Sequence, residues 1–374
     1  MRPARILQYL APHAIGGIET MVRSLATGLK ARGALVTAAA MVPAGGPGMR
    51  WVEELRELGI EVDILPPSLA LHRDLQALRQ VVARRQTDVI HAHGYRADIL
   101  SAMLPSGQRP ATVATLHGFS ATDWKGRWYS RFDRLALRRF DRVAVVSAPL
   151  RATLLRSGVS AARVQVVHNG VDVKAPGAPA AQLRSELGLD PGAFVVGSVG
   201  RLSREKGHHV LLDAIAQARP RIPQLAVVLV GDGPERAALE RSAETQGLGD
   251  TVRFLGQRHD LERLYAAFDL FVLPSLTEGS PTALLEASAY ALPTLASRVG
   301  AIPDMLREGS EIALVAVDHP AQLAEALVGL ASDPTLRARL GEAARARYQA
   351  EYRADHWLAR IEAIYADIMS RRSA

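Results

Sequence analysis

Two glutamates eight positions apart, Glu278 and Glu286, bracket the start of a helix. The apolar run from Asp269 to Leu273 reads as a buried strand of a parallel sheet. A short polar loop carrying Glu278 and Gly279 follows. Ser280 then stands as N-cap, Pro281 as first helical residue, and Thr282 to Ala291 as a good helix former. A helix N-terminus offers free N–H groups and the positive end of a dipole, which favour an anion. Carboxylates accept hydrogen bonds from hydroxyls. A ligand with both groups, such as a nucleotide sugar, suits such a site. Taken alone, the spacing also describes two solvated side chains around a capped helix, so the surrounding residues must decide.

The chain that positions them has 374 residues, enough for two domains, and its 48% hydrophobic content supplies real cores. No window is long and apolar enough to read as a spanning helix. With no cysteine, disulfides and thiolate chemistry are excluded, and the sequence leads us to expect a cytoplasmic protein. Strands at Ile6–Leu10, Leu35–Met41, Glu61–Leu65, Asp88–His93, Asp141–Ser147 and Val164–Val167 alternate with helices, then the rhythm restarts at Phe194–Val199 and Leu225–Val230. Such alternation implies an α/β sheet with ligands at the C-terminal ends of the strands. Between the two runs, Lys174 to Ala181 reads as a linker. His91 and His93 share a side of one strand, but no third ligand accompanies them at helical spacing, so no metal site is expected. His93 is expected to line a cleft and His91 to be packed.

The residues Glu278-Gly-Ser-Pro-Thr-Ala-Leu-Leu-Glu286, continuing through Pro293 to Ser297, closely resemble the signature of retaining GT-B glycosyltransferases, glycosyltransferase family 4 in particular. Ser288 and Ala291 depart from that pattern, which often has Met and Gly there. Further matches follow in family order: Gly16-Gly17, His117 in Thr115-Leu116-His117-Gly118, His168-Asn169-Gly170-Val171-Asp172, Arg201 with Lys206, and Gly231-Asp232-Gly233. The resemblance implies two Rossmann-like domains facing a cleft, spanning 1–173 and 174–355, with 356–374 crossing back onto the first. It implies that Arg201, a planar fork, and Lys206, a point charge, hold a departing diphosphate. Glu278 would bind sugar hydroxyls, Glu286 ribose hydroxyls, and His117 the sugar from the first domain. Gly16 and Gly17 would let backbone approach the donor phosphate or the acceptor, with the donor taken as the partner, while Gly231, Gly233 and Gln257 would border the nucleobase. Gly279, Ser280, Pro281 and Thr282 complete the donor loop, with His93 and Asn169 on the acceptor side. No cofactor is expected, because the nucleotide sugar is a substrate and two cations already balance its diphosphate.

Charge is uneven. Residues 1–176 carry 24 Lys and Arg against 13 Asp and Glu, and the remainder carries 21 against 25. A basic half points to a polyanion. Trp128 to Arg142 reads as an amphipathic helix, with Trp128, Phe132, Leu135 and Arg139 on one row and Arg127, Arg131, Arg134, Arg138 and Arg142 on another. It could dock reversibly on an anionic membrane surface at its inner face, or pack its apolar face on the sheet. The acceptor that fits is a saccharide or lipid-linked species in cell-surface polysaccharide or lipopolysaccharide assembly. The rival readings are a nucleotide-sugar 2-epimerase of the same fold and a non-catalytic basic binding protein. Nucleic acid is not expected as a partner, since aromatics make up only 5% and no recognition module is present.

Overall fold

The computed structural model describes residues 3–12, 16–68, 70–117, 124–177 and 179–373, with backbone alone for 124–130 and 373. Gly118 and the side chains of Arg127 and Trp128 lie outside that set. The chain forms two compact units, Met1–Asn169 with Ala354–Ala374, and Gly170–Arg353.

The first unit holds a parallel sheet of seven strands: β1 (Arg5–Leu10), β2 (Leu35–Met41), β3 (Glu61–Leu65), β4 (Val89–His93), β5 (Ala111–Leu116), β6 (Arg142–Val145) and β7 (Val164–Val166). Their spatial order is β3-β2-β1-β4-β5-β6-β7. The second unit has β8 (Phe194–Val199), β9 (Leu225–Val230), β10 (Val252–Phe254), β11 (Leu270–Leu273), β12 (Thr294–Ser297) and β13 (Ala313–Val315), ordered β10-β9-β8-β11-β12-β13. In each sheet the chain winds outward from its first strand, then returns to that strand's other side. In open α/β sheets the C-terminal edge beside such a reversal is where ligands bind. Both units are therefore Rossmann-like. Apolar runs buried on both faces explain the parallel pairing: all six residues of β5 and of β9 are buried.

The division falls at Asn169, a few residues before the proline- and alanine-rich stretch read as a linker. Backbone bonding explains it. Val171 N–H donates to Tyr352 O at 3.0 Å, and Tyr348 Oη donates to Val171 O at 3.0 Å, which ties 170–173 to the second unit.

The last helix, Ala354–Ser373, completes the first unit. Trp357, Ile361, Ile364, Tyr365 and Ile368 enter the same core as Leu25 and Leu29 of the helix Gly17–Ala31. Ion pairs Arg32–Glu362 and Arg372–Asp141 hold its middle and its C-terminal end at 2.7 and 2.8 Å. Removing one such buried side chain costs about 2–5 kcal/mol.

Candidate active site

In the second unit the reversal lies between β8 and β11, and the loops leaving these strands carry most of the expected donor contacts. Loop 200–207 leads into the helix His208–Ala218, and loop 274–281 into the helix Thr282–Ala289. Close backbone approach locks the loops together. Leu276 N–H donates to Glu205 O at 2.8 Å, and Ala301 N–H donates to Gly279 O at 3.1 Å. Leu202 N–H donates to Asp232 O at 3.0 Å. Two glycines permit the tightest approaches. A Cβ on Gly231, at φ +136°, would lie 1.9 Å from Gly200 O, and one on Gly300, at φ +59°, would lie 1.9 Å from Glu278 O. No side chain fits at either place.

This framework brings Lys206 against Glu278, 72 residues apart, with Nζ 2.7 Å from Oε1. Ser275 Oγ donates to the same oxygen at 2.7 Å. The carboxylate is nearly buried, at 6% exposed, and the lysine is accessible at 27%. Both donors fall on Oε1, and among the described residues none is seen on Oε2. Arg201 is exposed on the same loop. Burial pushes the Glu205 carboxyl up, but the bond from Ser203 Oγ, its own backbone and the cations Arg201 and Lys206 outweigh this and hold it below its ordinary value. His208, the first residue of its helix, is buried. Burial and then the charge of Lys206 lower its pKa to about 4, so the ring is neutral beside the cationic loop.

Glu286 sits one helical stretch further in. Its Oε2 accepts a 2.7 Å hydrogen bond from the buried Tyr265 hydroxyl. Burial raises the Glu286 pKa, and the tyrosine bond offsets part of the rise. Gln257 is exposed on the loop after β10. Ser280 does not cap the helix. Its Oγ lies 3.7 Å from Met305 Sδ, and the N-cap position belongs to Pro281, which has no side chain to offer the helix. The first-turn N–H groups therefore receive no side-chain cap, which suits an anion better than the capped end expected from sequence. The helix also stops at Ala289, and Ala291 adopts φ +54°, a left-handed conformation that explains why glycine is the frequent residue there.

The first unit's reversal lies between β1 and β4. Gly16 precedes the helix Gly17–Ala31, and its N–H donates to Glu19 Oε2 at 3.1 Å. His117 follows β5, half-buried, with Nε2 3.4 Å from His93 Nδ1. His93 is not a cleft-lining residue. It is buried, its Nε2 lies 2.8 Å from Gln8 Oε1, and its other nitrogen faces His117, so it stands behind that ring. His91 is packed, with Nδ1 2.6 Å from Tyr365 Oη and Nε2 2.7 Å from Thr115 Oγ1. Both its ring nitrogens are thus occupied, and among the described residues no three His, Asp or Glu side chains group to hold a metal. Asn169 is buried at the end of the unit.

The basic helix differs from expectation. It spans Trp124–Leu137, and Arg142 opens β6, where it pairs with Asp367. Arg138 lies past the helix and donates from Nε to Ser157 O at 2.9 Å. The side turned inward carries Asp133, fully buried, while Phe132 and Leu135 are 54% and 47% exposed. Asp98, on the facing helix Tyr95–Met103, is buried as well. None of the four carboxyl oxygens has a donor. Burial pushes Asp133 up to about 7, and burial with the neighbouring Asp133 charge pushes Asp98 well above the usual carboxylate range. Both acids therefore favour the neutral form, which suits their burial.

Comparison with known proteins agrees with this geometry. Residues 180–347 match the family model described as glycosyl transferases group 1, and residues 15–175 match glycosyltransferase family 4. The D-inositol 3-phosphate glycosyltransferase of Corynebacterium glutamicum (strain R) is 30% identical over 361 residues, covering 87% of this chain and 86% of its own. The chain belongs to the group 1 glycosyltransferases. The glycosyltransferase of the same name from Corynebacterium urealyticum is 38% identical over 206 residues, and there the chain spans about half of its relative's length, 49%. Among solved structures, Anabaena Alr3699/HepE in complex with UDP is 24% identical and superposes with a TM-score of 0.86 over 97% of this glycosyltransferase and 100% of that chain. That likeness is one of fold, and the fold is GT-B.

Three buried residues that hydrogen-bond the candidate site residues or their neighbours have no signal of their own in the sequence. Tyr265 looks like one more apolar residue of a helix, and Gln8 and Tyr365 lie far from any matching motif. Ser275 could have been found, since it stands three residues before Glu278 in the loop already singled out.

Proposed function

We propose that this glycosyltransferase moves a sugar from a nucleotide diphosphate donor, a UDP-sugar foremost, to a saccharide or lipid-linked acceptor. The anomeric configuration is retained and no metal ion is needed. The observation that carries the reading is the contact of Lys206 with Glu278 at the reversal between β8 and β11, beside two helix N-termini. Lys206 and Arg201 take up the negative charge that grows on the leaving diphosphate as its bond to the anomeric carbon breaks. The acceptor oxygen bonds to that carbon from the same face, and its proton passes to the leaving phosphate. Glu278 Oε2 accepts from a sugar hydroxyl, and Glu286, steadied by Tyr265, accepts from the ribose. Gly231, Gly233 and Gln257 border the base, and Gly16 and Gly17 give backbone access in the first unit. The contact with the transferred sugar that the family likeness gives His117 is part of this proposal.

UDP in the Anabaena structure supports the choice of donor. The relatives named for D-inositol 3-phosphate support an anionic acceptor, as does the basic first half. The exposed Phe132 and Leu135 beside exposed Arg131 support docking at an anionic membrane surface, where a lipid-linked acceptor of cell-surface polysaccharide assembly would lie. Phe132→Ser with Leu135→Ser should then lose sedimentation with phosphatidylglycerol vesicles, and unchanged sedimentation would remove the membrane from the reading.

The deciding experiment measures binding, hydrolysis and transfer across UDP-, GDP- and ADP-sugars in EDTA. One nucleotide class should bind and turn over, and Lys206→Ala and Glu278→Ala should each lower turnover by about 10²–10³-fold. Failure of every nucleotide sugar to bind at millimolar concentration would sink the proposal.

A further inference from the structure

Six side chains of the first unit form one continuous hydrogen-bonded row beneath its strand ends. Thr115 Oγ1 lies 2.7 Å from His91 Nε2, and His91 Nδ1 lies 2.6 Å from Tyr365 Oη. Gln8 Nε2 lies 3.5 Å from the same hydroxyl, and Gln8 Oε1 lies 2.8 Å from His93 Nε2. His93 Nδ1, in turn, lies 3.4 Å from His117 Nε2. All but His117 are buried. The three rings are neutral: burial, aided by the neighbouring histidines, lowers His91 to about 3 and His93 well below its ordinary value, and burial alone lowers His117 to about 4.

A neutral imidazole donates from one nitrogen and accepts at the other, so each bond dictates the next. The polarity is set at Gln8, whose carbonyl faces His93 and whose amide nitrogen faces Tyr365. Gln8 Oε1 can only accept, so His93 Nε2 carries the proton and His93 Nδ1 is bare. His117 Nε2 must then be the donor to it. At the other end, Tyr365 accepts from Gln8 and gives its own proton to His91 Nδ1, and His91 Nε2–H donates to Thr115. Each of the five bonds in the row then has one donor and one acceptor.

We propose that Gln8, oriented by Tyr365 of the last helix and acting through His93, is a positioning residue that fixes His117 in its Nε2–H form. The bare Nδ1 of His117 is then the atom presented to ligand, and it accepts a hydrogen bond from a hydroxyl. Among the described residues nothing bonds that nitrogen. The consequence for turnover rests on the sugar contact proposed above for His117, whereas the tautomer does not. The sequence likeness marks His117 but is silent on Gln8 and Tyr365, and the last helix contributes to the row only because it packs back on this sheet.

The test is long-range proton–nitrogen NMR of the full chain labelled with nitrogen-15 histidine at neutral pH. His117 should show a protonated Nε2 and a bare Nδ1. In Gln8→Met the proton on His93 Nε2 loses its acceptor, so it should move to Nδ1, and the proton of His117 should move to Nδ1 in response. Donor hydrolysis should then fall about tenfold or more in kcat, as expected of a wrong tautomer, with KM changed less. Tyr365→Phe keeps the ring but frees the amide, so His117 should report both tautomers even if Gln8→Met fails to fold. A protonated Nδ1 on His117 in the unsubstituted chain would overturn the relay, because the amide would then point the other way. So would an unchanged His117 signal in both variants. If His117→Ala leaves donor hydrolysis intact, the sugar contact fails while the tautomer assignment stands.

Discussion

Both sheets place their first strand beside their fourth, yet the two reversals hold their functional residues by different means. In the second unit the means is backbone. Glycines at 231 and 300 let loops touch carbonyl to Cα, and the charges of Lys206, Arg201 and Glu278 stay near water or pair with one another. In the first unit the means is a row of neutral side chains, buried except at its His117 end, that starts from Thr115. A site that meets a charged diphosphate needs its ions ready, and desolvating them without partners would be costly. A ring that meets hydroxyls needs one nitrogen bare and the other protonated, which burial and neighbours can enforce.

The comparison is broken most sharply at the glycines. Gly231→Ala and Gly300→Ala should each destabilise the second unit by at least about 3 kcal/mol in urea unfolding, through backbone collision and left-handed strain together. Gly17→Ala has nothing within 4 Å of the new methyl group. It should leave stability unchanged or raise it by up to about 1 kcal/mol as a helix substitution. Its donor turnover should nevertheless fall severalfold if backbone there approaches a ligand, and undiminished turnover would take Gly17 out of the site.

A second contrast is pH. The folded pKa values of His91, His93 and His117 all lie below the unfolded value of about 6.5. The unfolded chain binds more protons in that window, so this part of the first unit's stability is complete above about pH 6.5 and is lost as pH falls through about 4. The second unit has one such buried histidine, His208. All four tryptophans, at 51, 124, 128 and 357, belong to the first unit, so their fluorescence reads its unfolding alone. With Asp98→Asn and Asp133→Asn, which remove the opposing proton uptake of those two buried acids, the tryptophan-detected melting temperature should drop between pH 6.5 and 4 more steeply than that of the second unit, followed by amide exchange. Parallel loss in both would contradict the neutral-row account.

The smallest effect belongs to Ala291. Its φ of +54° suits glycine, and Ala291→Gly should raise the urea midpoint by an amount equivalent to about 0.5–1 kcal/mol without changing turnover. A lower midpoint would mean that the methyl group's packing outweighs the strain.

Much of this protein was legible in its residues taken one stretch at a time. Apolar runs such as Leu225–Val230, short, rich in valine and followed by a glycine, read as strands buried on both faces, and the order of Arg201, Lys206, Glu278 and Glu286 names the family. Local periodicity failed where two segments had to meet. Spacing left Phe132 and Leu135 to face either a membrane or the sheet, and in the structure both are exposed while Asp133 takes the inner place. Ser280 looked like a cap until its hydroxyl turned to Met305. His93 looked accessible because a strand end usually is, and only the pairing of β4 with β1 and β5 shows it enclosed between Gln8 and His117.

The sequence by itself determined which residues could carry charge, which runs must be buried, and where backbone could bend past a side chain's limits, since these depend on covalent structure and local sterics. The tertiary structure alone decided which groups became partners: Lys206 with Glu278, Tyr265 with Glu286, Gln8 with His93 and Tyr365. Hydrogen bonds and ion pairs act over about 3 Å, while these residues are separated along the chain by up to 357 positions, and only the folded path of the sheets brings them within reach.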